Sequence, residues 1–332
     1  MADLTPDELA RKRKEERERA KAAEAVTEFT PERADELRQS LDEVRAHIVA
    51  ASGAAQKHGS KPRLMAVSKT FTAGDVVACF EAGQRDFGEN YLDMLQQKAA
   101  LVGGELERKN LPKDIRWHYI GDIQHKGNKL VEIPTLYAVH TVYKLYHATD
   151  IDKALRKASS SPTSAPSPRT INIFLQIRTD EGKDVGLPPP PLTSTGTSND
   201  SGTDDFAETE IAKLALHIVS SCPHLRLAGL MTIARETESA RTDGGNADFE
   251  TLVRTRDLLQ AFLERVNAQR AEKGEGETLI RWGEEGDEGR LQLSMGMSGD
   301  YETALAMGAD VIRLGRHVFG HRAYKPRKEK MA

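Results

Sequence analysis

The chain has 332 residues, 38% of them apolar and 30% charged, with a net charge of -4. That is a globular composition, long enough to bury a large core, and its charge gives no reason to expect a nucleic acid as partner. Cys79 and Cys222 lie far apart without zinc or CxxC spacing, and no apolar run nears the ~20 residues that span a bilayer. A cytoplasmic protein without a metal site is expected, with no membrane partner.

Residues 1–28 mix acids and bases without an apolar stripe and lack the apolar core of a signal peptide, so they read as a flexible or helical extension. The pattern then changes. Thr30 and Pro31 make a helix start, and Leu37, Leu41, Val44 and Ile48 recur at helical spacing. An amphipathic helix that packs onto a larger body is predicted here.

Beyond it, strand and helix patterns alternate. Eight strands are predicted in "RLMAVSKT", "RDFGEN", "RWHYIG", "TLYAVHTV", "TINIFLQI", "RLAGLMTI", "LQLSMGM" and "DVIRLG". Helical patterns such as "AGDVVACFEAG", "ETEIAKLALHIVSSC" and "DFETLVRTRDLLQAFLERVNAQR" lie between them. That count and order belong to an α/β protein built as a (β/α)8 TIM barrel. A doubly wound open sheet is the rival, but no GxGxxG turn follows the first strand. The barrel is expected to occupy 29–323 as one domain, with low-complexity surface inserts near 158–169, 187–205, 236–247 and 271–290 and a basic tail at 324–332.

In such a barrel the site lies at the C-terminal ends of the strands, where unusual polar residues collect. Lys69 ends the first strand in a setting where its ammonium is costly to bury, Asn90 ends the second, and His118 sits within the third. Alternation places Val311, Arg313 and Gly315 on one face of the eighth, so Arg313 is a cation facing the interior. Ser298, Gly299 and Asp300 lead from the seventh strand into a helix whose first amides could hold an anion, or Ser298 could be an ordinary N-cap. Gly315 and Arg316 end the eighth strand, where a phosphate pocket is often built. An inward lysine, a phosphate site and an arginine between them suit an aldehyde that carries a phosphate, and pyridoxal 5'-phosphate (PLP) meets that description. A desolvated Lys69 beside a cation would be partly neutral and nucleophilic. Glu89 and Asp122 could act as acid and base, although solvated or capping roles fit them as well. His317 and His321 have HxxxH spacing but no intervening glutamate and no third ligand, so no metal is expected.

The motifs "LMAVSKT", "FGENY", "WHYIG", "LAGLMTI", "LSMGMSGDYETAL" and "IRLGRHVFG" together resemble the pyridoxal phosphate homeostasis protein family, from about residue 36 to 322. The resemblance implies a fold-type III barrel like the N-terminal domain of alanine racemase. It also implies a Schiff base at Lys69, phosphate contacts from Ser298 and the Gly315 to Arg316 backbone, and Arg313 facing the pyridine nitrogen; Asn90 and Gly299 are further cofactor-binding candidates from their strand-end positions alone. No residue is assigned a catalytic role. The implied function is storage, buffering or delivery of PLP, with PLP-dependent apo-enzymes as candidate recipients; an amino-acid racemase of the same fold type is the alternative. The second domain that such racemases use is not recognisable after the last barrel motif, so weak racemization at most and a monomer are expected. Two positions depart from the family pattern: Arg316 stands where Thr or Ser is usual, and Gly127 stands where a lysine is usual.

Overall fold

The helical stripe and the eight strand patterns are realised in a computed structural model that describes residues 22–52, 62–160, 169–179, 185–192, 205–241, 244–273 and 279–320. Strands β1 (Arg63–Val67), β2 (Asp86–Glu89), β3 (Arg116–Tyr119), β4 (Leu136–Val142), β5 (Ile171–Gln176), β6 (Leu225–Met231), β7 (Gln292–Ser294) and β8 (Val311–Leu314) close into a barrel in sequence order. Every neighbouring pair is parallel, including β8 with β1. Closure leaves no sheet edge, and it places the loops that follow all eight strands on one end.

The helices form the outer layer: α1 (Pro31–Ser52), α2 (Ala73–Glu81), α3 (Leu92–Arg108), α4 (Gly127–Leu130), α5 (Leu145–Ser159), α6 (Glu210–Ser221), α7 (Glu236–Ser239), α8 (Ala247–Glu272), α9 (Tyr301–Ala306) and α10 (Arg316–Phe319). Pro31 opens α1, Thr30 Oγ1 accepts from the Arg33 amide, and Leu37, Leu41, Val44 and Ile48 are its buried stripe. Arg33 then ties this helix to its two neighbours, donating to Asp75 on α2 and to the Phe319 carbonyl of α10. The main core lies between the strands' outward side chains, such as Leu64, Ala66, Ile312 and Leu314, and these helices. Local caps agree with the frame: Thr72 and Asp75 make a reciprocal capping box on α2, and Asn246 accepts from the Asp248 and Phe249 amides at the start of α8.

Composition misled in two of the four expected inserts. Residues 271–290 read as surface loop, yet Ile280, Trp282 and Glu284 are buried, and Gly283, at φ 87°, donates to the Leu227 carbonyl. The glycines and acids that suggest a solvated loop here supply a tight turn and a carboxylate paired inside the protein with Arg63. The stretch 236–247 contains α7 and the buried cap Asn246. The inserts near 158–169 and 187–205 fall largely outside the described residues, although Leu187 is buried and exchanges backbone hydrogen bonds with Gln176 and Arg178. Residues 1–21 and the tail 324–332 lie outside them as well. Residues 22–30 are an arm against the barrel: the Gly74 amide donates to the Val26 carbonyl, and a Cβ on Gly74 would sit 2.7 Å from the Thr27 carbonyl oxygen.

Candidate functional site

Ring closure makes β7, β8, β1 and β2 contiguous, so the residues that follow them meet at one mouth. Lys69 stands two positions beyond β1 and is half-buried; Asn90 follows β2 directly. Ser298 and Gly299 lie in the turn after β7, and Gly315 caps α10 at the end of β8, with a Cβ there only 3.2 Å from the Val67 carbonyl oxygen of β1. Arg316, the first residue of α10, is exposed. The topology thus brings all six rim candidates together on adjacent strand ends.

The seventh candidate, Arg313, lies within the barrel. Ile312 and Leu314 belong to the outer core, so the alternate residue faces inward, where Nη1 donates to the Ser294 carbonyl (2.8 Å) and Oγ (2.9 Å) and Nη2 to the Thr232 carbonyl (2.7 Å). Burial lowers its pKa to about 10, offset only by Asp300, because the oxygens it donates to on Ser294 and Thr232 are neutral. A buried cation with neutral partners is poised to meet an uncharged acceptor or an anion.

Ser294 begins a polar chain down the barrel axis. Its hydroxyl lies 3.1 Å from His140 Nδ1, His140 Nε2 lies 3.0 Å from His118 Nδ1, and His118 Nε2 lies 2.9 Å from Asp86 Oδ1. Burial works against the Asp86 carboxylate, but His118, Arg116 and Arg63 outweigh it and hold its pKa below the usual range. The carboxylate therefore accepts from His118 Nε2–H, which leaves His118 Nδ1 to accept from His140 Nε2–H and His140 Nδ1 to accept from Ser294. Both histidines are then neutral, in keeping with burial that lowers the pKa of His118 and drives that of His140 well down. His118, read from the sequence as lying within the third strand, is a buried, hydrogen-bonded member of this interior chain, and His140 is a member that sequence reasoning missed. Its position in "AVHTV" offered a signal: a histidine within an otherwise apolar buried strand requires a partner.

Behind the mouth lies a second buried group, also missed. Lys98 on α3, 1% exposed, places Nζ 2.6 Å from Glu89 Oε1, 2.8 Å from Glu24 Oε2 and 2.8 Å from the Ser68 carbonyl. Burial alone would lower its pKa, yet Glu89 and Glu24 together raise it. Glu89 is therefore neither solvated nor a cap. It follows Gly88 and so points outward from the barrel to the helix layer, opposite to the side on which Asp86 meets His118.

The anion turn also differs in detail from expectation. Asp300, not Ser298, is the N-cap residue of the six-residue α9. Its carboxylate accepts from the Met297 amide and from the Ser239 hydroxyl, so it is engaged within the turn. Among the described residues the Ser298 and Gly299 amides donate to no backbone carbonyl, and a Cβ on Gly299 would meet open space. At the rim, Asn90 Oδ1 is buried without a hydrogen-bond partner among the described residues, as is Gln176 Oε1 at the end of β5. Buried orphan acceptors and uncommitted amides around one mouth are what a polar ligand would satisfy.

No family model matches the chain. It is 32% identical over 276 residues to the human pyridoxal phosphate homeostasis protein, covering 82% of each chain. It is 32% identical over 289 residues to the protein of that name from Caenorhabditis elegans (86% of this chain, 95% of the relative). The corresponding figure for Pseudomonas aeruginosa is 31% over 288 residues, covering 87% and 96%. Among solved structures, PipY from Synechococcus elongatus, determined with PLP bound, matches at TM-score 0.51 and 26% identity over 86% of this chain and all of that one. An alanine racemase from Clostridium difficile matches at TM-score 0.50 and 11% identity, over 88% of this chain and 58% of that one, a likeness of fold alone.

Proposed function

The chain belongs to the pyridoxal phosphate homeostasis protein family, and from that premise we propose that it holds PLP as a Schiff base on Lys69 and serves cofactor storage, buffering or delivery rather than turnover. The observation that carries this reading is the convergence of Lys69, Asn90, Ser298, Gly299, Gly315 and Arg316 on contiguous strand ends above the buried Arg313.

The residues present fit the group. When bound, PLP supplies an aldehyde carbon to which a neutral amine adds with loss of water. Lys69 provides that amine at the rim. The Ser298 and Gly299 amides, the Gly315 to Arg316 backbone and the Arg316 guanidinium would hold the phosphate, and Asn90 offers an orphan acceptor. Arg313, fixed by Ser294 and Thr232, would face the ring nitrogen. A group that is already cationic donates a hydrogen bond without protonating that nitrogen. The ring is then a weak electron sink, which favours holding the cofactor over carbanion chemistry.

Borohydride reduction of the protein with PLP, followed by peptide mapping, tests the reading. The label is expected on Lys69 and is lost in Lys69→Ala; a protein that stays colourless with added PLP, or a label elsewhere, would sink it. Incubation with L-amino acids and chiral chromatography is expected to show no sustained turnover.

A further inference from the structure

The turn that carries Lys69 is fastened from outside the barrel. Thr70, a β-branched residue, has φ 71°, a left-handed conformation such side chains adopt only when their surroundings enforce it. Its amide donates to Glu24 Oε1 at 3.1 Å. On the other side of Lys69, the Ser68 amide donates to the Gly88 carbonyl, the Ser68 hydroxyl to Glu89 at 2.7 Å, and the Ser68 carbonyl accepts from Lys98; Phe71 N–H closes the turn on the same carbonyl. Lys69 is thus bracketed by two residues whose polar groups run to the buried Glu24, Lys98 and Glu89.

Glu24 is the member of this group that the barrel does not itself provide. Lys98 needs one carboxylate for neutrality and Glu89, fully buried on β2, already supplies it. Glu24, 5% exposed, adds a second negative charge to a desolvated place. Such a charge is costly to bury unless its oxygens are used, and one of them is the acceptor for the amide next to Lys69.

We infer that Glu24, on the arm of residues 22–30, is a positioning residue for Lys69: the docked arm holds the strained Lys69 to Thr70 turn in the geometry that retains the cofactor. The inference rests on the Lys69 reading above. Removing the arm's carboxylate leaves the barrel frame and the Lys98 to Glu89 pair in place, and frees the Thr70 amide.

The full chain carrying Glu24→Ala or Glu24→Gln tests this with two readouts. In the cofactor-free protein, deuterium exchange of the segment around 68–71 should quicken on the order of tenfold in Glu24→Ala, the loss of one charge-assisted hydrogen bond. In the loaded protein, PLP release into excess apo-acceptor should quicken by a similar factor and the pH midpoint of the imine absorbance should move. Glu24→Gln, which keeps an oxygen for the Thr70 amide, should recover most of both effects and guards against a misfolded alanine variant. A lowered melting temperature with exchange, release and the imine titration all unchanged would make Glu24 merely structural and overturn the inference. Borohydride labelling of the wild type at Lys69 separates the two readings: its absence overturns the Lys69 assignment and the inference with it, whereas its presence with unchanged variants overturns the role of Glu24 alone.

Discussion

Replacing Lys98 by methionine, close in length and apolar, should destabilise the protein strongly at neutral pH and much less in mild acid. In the native protein one buried cation faces two buried carboxylates at 2.6 and 2.8 Å, a local sum of -1 that becomes -2 in Lys98→Met. Removing one partner of a buried ion pair costs about 3–5 kcal/mol. The carboxylates can limit that cost by taking a proton. Burial raises the pKa of Glu24 even in the presence of Lys98, so Glu24 is the group that takes it; relative to an unfolded carboxylate at the ordinary 4.5, holding a proton at pH 7 costs about 3.4 kcal/mol at 1.36 kcal/mol per pH unit. At pH 5 the same step costs about 0.7 kcal/mol. The penalty should therefore shrink by roughly 2.7 kcal/mol between pH 7 and pH 5. At about 2–4 °C per kcal/mol for a large domain, the melting point at pH 7 should fall by roughly 10 °C. Urea unfolding of wild type and variant at both pH values measures it. An equal penalty at the two pH values, or none at pH 7, would refute the claim that these carboxylates depend on Lys98 for their charge.

Two further predictions follow from the barrel interior. Arg313→Leu removes the only cation bonded to Ser294 and Thr232 among the described residues; PLP affinity, measured by fluorescence titration, should fall about tenfold, with a shifted absorbance band. An unchanged affinity and spectrum would place Arg313 away from the ring. His118 and His140 have folded pKa values below the ordinary 6.5, so below pH 6.5 the unfolded chain takes up protons that the native state refuses. Their share of the stability is complete above 6.5 and is lost as pH falls from there toward the folded values. The urea midpoint should decline from pH 7 to 5.5, and His140→Phe, which keeps an aromatic ring against Phe174, should flatten that decline by about half.

The parts of the site that sit on regular elements were legible because period and residue type are local properties. Arg313 was assigned to the interior by alternation along "VIRLG", and it bonds across β7 to the end of β6. Lys69 and Asn90 stood out as polar residues at the ends of apolar strands. Glu89 was legible only as a carboxylate, since nothing in "FGEN" shows that a lysine nine residues later on α3 turns back to meet it. Glu284 was read as part of a solvated insert, because its burial depends on Arg63, more than two hundred residues earlier.

By itself the sequence determined the alternation of strand and helix, the closed eight-stranded count, the stripe of α1 and which polar residues stand at the strand ends, all of which follow from short-range periodicity and backbone chemistry. Only the tertiary structure decided how charge is distributed behind and beneath that rim: the docking of Glu24 beside Thr70, the Lys98 group, and the chain from Arg313 through Ser294, His140 and His118 to Asp86. The reason is that the cost of burying a charge depends on which partners folding brings within hydrogen-bond reach, and those partners are distant in sequence.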